Sequence, residues 1–213
     1  MRPWLALTHA GAKFETDTAR LESFATTTLA ERRQLGSVAG LFPILRVDGT
    51  PIHESLAICE TVAELFPAAG LWPGAFTDRA LARALCAEMV GDFAAIRSEM
   101  TCHLFGRAPA FQPSEQAQKN IDRVFEIWTQ CLERSGGPFL FGGVSLADFF
   151  YFPVLTRFRT YGVALEGPAL NYAETLEALP AVQALIDAAR TAPSMGQYDD
   201  YIVKHGGDPD AAL

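Results

Sequence analysis

No apolar run in the sequence approaches the ~20 residues needed to span a bilayer, and Met1-Arg2-Pro3-Trp4 does not open a signal peptide. Cysteine is scarce. Cys59, Cys86, Cys102 and Cys131 form no Cys-x-x-Cys pair and sit in apolar, helix-patterned contexts. That usage excludes a disulfide framework and a zinc site, and it fits reduced thiols in a cytoplasmic protein. The 4 histidines are scattered without ligand spacing, so no metal is expected. Basic charge is in deficit: 17 Lys and Arg against 25 Asp and Glu leave a net charge of −8, which argues against a nucleic-acid partner. Repeats and low-complexity tracts are absent. What remains is 213 residues, 49% apolar and 20% charged, which excludes disorder and suffices for one large domain or two small ones.

The hydrophobic patterning divides the chain in two. Residues 1–66 mix short elements of both kinds. Pro3 to Ala10 reads as a helix with proline in its first turn and Gly11 just past its end. Phe14 to Arg20 alternates weakly and predicts a strand, and Thr28 to Leu35 a short helix stopping near Gly36. Phe42 to Val47, the Asp48-Gly49 turn and Thr50 to His53 predict a hairpin. A helix follows from Glu54 or Ser55 to Phe66. Two prolines and a glycine then break the periodicity between Pro67 and Pro73, which marks a linker.

Beyond that break the pattern is helical throughout. Thr77 is the expected N-cap of a long helix reaching about Phe105, with Leu81, Leu85, Met89, Phe93, Ile96 and Met100 as its stripe. Ser114 caps a second long helix, and Ser145-Leu-Ala-Asp148 has capping-box spacing ahead of the run Phe149 to Leu155. Shorter helices are expected at Pro168 to Leu176 and Pro180 to Ala192, with a frayed tail from Pro193. The expected class is therefore α+β: 1–66, a linker at 67–76, and an all-α domain at 77–213.

Three segments are more specific: Gly40-Leu-Phe-Pro43-Ile-Leu, Glu54-Ser55-Leu-Ala-Ile, and Ser145-Leu-Ala-Asp148 followed by aromatics. In that order and spacing they resemble the cytosolic glutathione S-transferases. Arg2-Pro-Trp-Leu-Ala-Leu-Thr-His-Ala-Gly11 is similar to the first helix of the bacterial members that place a serine just ahead of it. The resemblance covers nearly the whole chain and rests on the ordered set. It implies a thioredoxin-like N-terminal domain, here without its first strand, followed by an all-helical C-terminal domain. Glutathione is then the co-substrate and a small hydrophobic electrophile its partner, in a cytoplasmic, detoxifying homodimer.

Residue by residue, the resemblance makes Pro43 a cis proline, a state of about 5–6% of X-Pro bonds. The Phe42 backbone then pairs with the cysteinyl part of glutathione as an added strand would. Ser55, at a helix N-terminus, receives the γ-glutamyl carboxylate and Glu54 the ligand's ammonium. The plainer alternatives are an ordinary edge-strand proline and a helix cap. Arg32, Arg33, Gln34 and His53 are unranked candidates for the glycine carboxylate. Met89, Phe93, Arg97 and Met100 line an electrophile pocket or simply pack the core. Glu88 or Asp92 is a candidate to reach a dimer partner's glutathione, whereas Ser145 and Asp148 read as structural. Cys102 and His103, being consecutive, do not read as a thiolate–imidazole pair.

One departure stands out. The matching region begins inside the first helix, so the strand and the serine, tyrosine or cysteine that follow it in the family are expected upstream of Met1. No catalytic residue is assigned. The expected activity is conjugation, isomerisation or glutathione-dependent reduction, and the alternative is a non-catalytic binding or scaffold protein of the same fold.

Overall fold

The computed structural model describes residues 1–18, 27–193 and 195–212. Helix α1 (Arg2–His9) takes Pro3 in its first turn, where no amide bond is lost, and buries Pro3, Leu5, Ala6 and Leu7. The predicted strand after it does not form across Phe14 to Thr18. Instead the Phe14 ring stands edge-on to Trp4 at 6.0 Å, and Trp4 Nε1 donates to Thr16 Oγ1 at 3.2 Å. Ala19 and Arg20 lie outside the described residues.

Helix α2 (Leu29–Gln34) opens on a capping box, with Thr28 Oγ1 accepting from Glu31 N while the Glu31 carboxylate accepts from Thr28 N at 2.7 Å. Strands β1 (Ile44–Val47) and β2 (Thr50–His53) make the expected antiparallel hairpin. Its two turn residues, Asp48 and Gly49, both have positive φ, as a two-residue turn matched to strand twist requires. Helix α3 (Ser55–Leu65) follows directly, and a 3-10 turn at Pro67–Ala69 leads out of the α/β part.

The rest is helical: α4 (Phe76–Gly91), α5 (Ala94–Glu99), α6 (Glu115–Ser135), α7 (Leu146–Thr160), α8 (Gly167–Glu177), α9 (Pro180–Arg190) and α10 (Gly196–Lys204). The single long helix expected from Thr77 to Phe105 is in fact two. Ala75, without a side-chain bond, precedes α4, and the chain bends at Asp92 and Phe93. Phe93 and Ile96 remain buried beyond the bend, so the apolar stripe runs on although the helix does not. Tyr161 ends α5's course: its hydroxyl accepts from Thr101 N at 2.9 Å, taking an amide that a continuing helix would have used. The expected frayed tail is instead largely α10. Ile202 is buried, Tyr201 Oη donates to Glu99 O at 2.8 Å, and Asp199 meets His103 at 2.8 Å.

Helix α7 runs through the centre, buried along almost its whole length. Trp128 of α6 gathers Phe125, Tyr151, Phe158 and Tyr172 around it, with ring centroids at 6.1, 6.3, 5.6 and 5.0 Å. Its start is the expected box in buried form: the Asp148 carboxylate accepts from Ser145 N at 2.7 Å, Ser145 Oγ at 3.0 Å and Leu140 N at 3.1 Å. Helix α1 packs on α3, α7 and α9, so one core joins the α/β part to the helical part.

Candidate functional site

The hairpin register sets the site. Ile44 lies opposite His53, so the next residues outward, Pro43 and Glu54, leave the open end of the hairpin side by side. Phe42-Pro43 is a cis peptide, with Phe42 half-buried and Pro43 exposed. The loop before it is held from within. Buried Ser37 donates its hydroxyl to Leu41 O at 2.6 Å, Arg32 Nη1 donates to Gly40 O at 3.4 Å, and Arg33 Nε to Val38 O at 3.2 Å. Gly40 has φ +73, a backbone conformation that calls for glycine. These contacts orient the backbone that delivers Phe42. Ser37 escapes sequence reasoning because a small polar residue between two glycines reads only as loop.

Across the hairpin end, Glu54 is the cap of α3. Its φ is +75, a conformation that costs a non-glycine residue about 1–3 kcal/mol. Its carboxylate accepts from Leu56 N at 2.9 Å and Ala57 N at 3.4 Å, while Ser55 Oγ donates to its other oxygen at 3.0 Å. A carboxylate therefore already sits where the helix offers free amides and partial positive charge. The Phe42 peptide, the Ser55 hydroxyl and this helix start lie at the same end of the hairpin.

Of the other sequence candidates, His53 lies at the same open end of the hairpin, opposite Ile44. Arg32 and Arg33 serve the Ser37–Leu41 loop, and Gln34 and His53 are exposed. Met89, Phe93 and Met100 are core, at 1%, 1% and 0% exposure, and Arg97 donates to Val90 O at 2.7 Å. Glu88 is bound within the chain by Arg123 at 2.7 and 3.1 Å. Burial pushes the thiols of Cys59 and Cys131 up to about 12 and about 11, and that of Cys86 upward as well, so these three stay protonated at neutral pH. Cys102 and His103 do not pair: His103 Nδ1 accepts from Gly106 N, and its Nε2 faces Asp199. Among the described residues no cluster of three potential ligands could hold a metal ion, and no helix is long and apolar enough to cross a membrane.

Arg2 was not a sequence candidate. Its Nε donates to Phe150 O at 3.2 Å and its guanidinium lies 5.0 Å from the Phe150 ring, tying α1 to α7. Burial, and then Arg97 and Arg157, lower its pKa to about 10. A charged residue on an otherwise buried helix was the available signal.

A hairpin-and-helix unit with a cis proline beside a helix start, followed by helices packed around a buried capping-box helix, is the architecture of glutathione S-transferases. Residues 79–188, more than half of the chain, match the family model described as "Glutathione S-transferase, C-terminal domain". The chain belongs to that family. Among solved structures it is similar to a glutathione transferase homologue from Burkholderia gl BGR1 with bound glutathione, at 25% identity and TM-score 0.68 over 90% of this chain and 91% of that one. It shares the fold of the Tau class enzyme MiGSTU from mango, Mangifera indica (22% identity, TM-score 0.63, 94% and 90% covered). It also shares that of the monomeric transferase from the hookworm Necator americanus (18%, 0.64, 91% and 92%). No curated protein sequence matches it.

Proposed function

We propose that the protein is a glutathione transferase acting on small hydrophobic electrophiles, with residues 1–66 as its glutathione-binding domain, 67–76 as connector and 77–213 as the helical domain. The observation that supports the reading is the hairpin end, where the cis Phe42-Pro43 peptide and the Glu54–Ser55 helix start lie side by side. Glutathione fits as an added strand: its cysteinyl amide and carbonyl pair with Phe42, next to Pro43. The γ-glutamyl carboxylate takes the α3 amides and the Ser55 hydroxyl, and Glu54, released from capping, turns to the ligand's ammonium. In conjugation the thiol proton passes to solvent and the sulfur forms a bond to the electrophilic carbon. The leaving group departs with its electron pair. Free thiols titrate near ~8.5, so stabilising the thiolate is the enzyme's task. Exposed Leu65 and Phe76, the latter at 76%, support a homodimer.

The test is thermal unfolding with and without millimolar glutathione, alongside conjugation of a chloronitrobenzene. The expected result is a rise of several degrees together with catalysed conjugation. Stabilisation without turnover supports the scaffold reading, and neither effect overturns both. Light scattering reads the oligomeric state, where a single 23 kDa species would overturn the dimer.

A further inference from the structure

In this acidic chain Arg83, Arg123, Arg134 and Arg159 each meet a carboxylate, of Glu60, Glu88, Asp78 and Glu177 in turn. Among the described residues Arg2, Arg97 and Arg157 meet none. Arg2 Nε donates to Phe150 O at 3.2 Å, and Arg97 Nη1 to Val90 O at 2.7 Å. Arg157 donates from Nη1 to Pro153 O at 2.8 Å and from Nε to Met100 O at 2.7 Å. Neutral carbonyls orient a guanidinium without cancelling its charge.

The three stand together. Phe150 O and Pro153 O are one turn apart on α7, so Arg2 and Arg157 line one face of that helix. Met100, which Arg157 also holds, closes α5 three residues after Arg97 and on the same side of it. Burial first, and then Arg97 and Arg157, lower the Arg2 pKa, as expected for a cation among cations. Both terminal nitrogens of Arg2, and Nη2 of Arg97 and Arg157, have no partner among the described residues. Arg2 and Arg157 are half-buried and Arg97 is exposed, so the cluster opens to solvent.

The cluster also lies beside the start of α3. Helix α1, which carries Arg2, packs along α3. The Cys59 thiol, one turn into α3 from Ser55, is pushed up by burial first and feels both Arg2 and Glu54. A net charge of −8 repels anions in general, whereas unpaired forked donors held side by side match a carboxylate. We propose that Arg2, Arg97 and Arg157 form an anion subsite beside the glutathione position, which selects electrophiles carrying a carboxylate. This names the substrate class of the transferase reading and rests on it. The glutathione sulfur bonds to the electrophilic carbon, the leaving group departs with its electron pair, and the thiol proton passes to solvent. The substrate carboxylate stays unchanged on the arginines.

The test is conjugation by the full chain, at saturating glutathione, of 4-chloro-3-nitrobenzoate and of its uncharged amide, 4-chloro-3-nitrobenzamide. Each rate is divided by the uncatalysed one. Expected is a preference for the benzoate in kcat/KM of about tenfold or more, as charged hydrogen bonds allow. Arg97→Gln should cut that preference to below about threefold, and Arg97→Lys, which keeps the charge, should hold most of it. Arg97 is exposed, so both variants keep their fold, which melting curves check. Equal conjugation of benzoate and amide overturns the proposal and leaves the transferase reading standing. So does a preference that Arg97→Gln retains; if the KM for glutathione rises in that variant instead, the cluster belongs to glutathione. If neither compound is conjugated, the transferase reading fails and the substrate class with it.

Discussion

At the residue scale, the α3 start divides its tasks unevenly: under the proposed function Glu54 both caps the helix and meets the ligand, whereas Ser55 meets the ligand without capping. Glu54 supplies the cap through its carboxylate, whereas Ser55 is the first helical residue and only donates to Glu54. Ser55→Ala should therefore leave unliganded stability within about 0.5 kcal/mol, yet weaken glutathione binding tenfold or more, because a hydrogen bond to a charged group contributes about 1.5–3 kcal/mol. Calorimetric titration and a melting curve check the two halves; equal losses in both would sink the assignment. Asp148 gives a pH signature instead. Burial raises its carboxyl to about 6 despite the hydrogen bonds from Leu140 and Ser145 that favour ionisation. Its folded pKa lies above the unfolded ~3.9, so between about pH 4 and 6 the folded state holds the extra proton and stability falls as pH rises. Asp148→Asn lacks this slope. Its urea midpoint should fall short of wild type most at pH 4, and the gap should narrow by pH 7. A gap that widens with pH would contradict the raised pKa.

At the element scale, what the sequence discloses depends on how local the cause is. The hairpin, the Ser145 box and the Ser114 cap were all legible, because each is decided by residues within a few positions of one another. The bend at Asp92 was not. The apolar stripe from Met89 through Phe93 and Ile96 to Met100 satisfies helical spacing on both sides of it. The end of α5 was hidden too, because Tyr161, 60 residues beyond Thr101, supplies the hydroxyl that takes the Thr101 amide. Helix α10 was missed for the same reason, since Glu99 and His103 anchor it from afar. The cluster of Arg2, Arg97 and Arg157 likewise draws on three distant segments. Ser114 joins both kinds of cause. Its hydroxyl accepts from Ala117 N at 3.1 Å to cap α6 and donates to Glu99 at 2.6 Å, linking α6 to α5. Ser114→Ala should cost about 1 kcal/mol. In a chain of this length that is a drop of about 2–4 °C in melting temperature. Ser114→Asp, which keeps the cap but repels Glu99, should fall between the two, and a variant as stable as wild type would deny the cap its role.

At the scale of the whole molecule, the break that the sequence places at 67–76 is chemical but not energetic. Leu71 is buried and its carbonyl accepts from Leu146 N at 2.8 Å, at the very start of α7. Trp72 Nε1 donates to Glu60 of α3 at 2.9 Å, and Arg83 of α4 donates to the same carboxylate at 2.6 Å while lying 4.9 Å over the Trp72 ring. Helix α1 adds the decisive link, because Leu5, fully buried, belongs to a helix that packs on α3 on one side and on α7 and α9 on the other. The hairpin end is thus braced by the helical part through α1 and α3, and the two should open together. Leu5→Ala should cost about 2–5 kcal/mol, the range for a buried leucine that leaves a cavity. Hydrogen exchange in mild denaturant should show that cost equally in peptides from the β1–β2 hairpin and from α7, as one cooperative unit requires. If α6 to α8 kept wild-type protection while α1 to α3 opened, the two parts would be separate folding units, and the hairpin end would owe its shape to the first 66 residues alone.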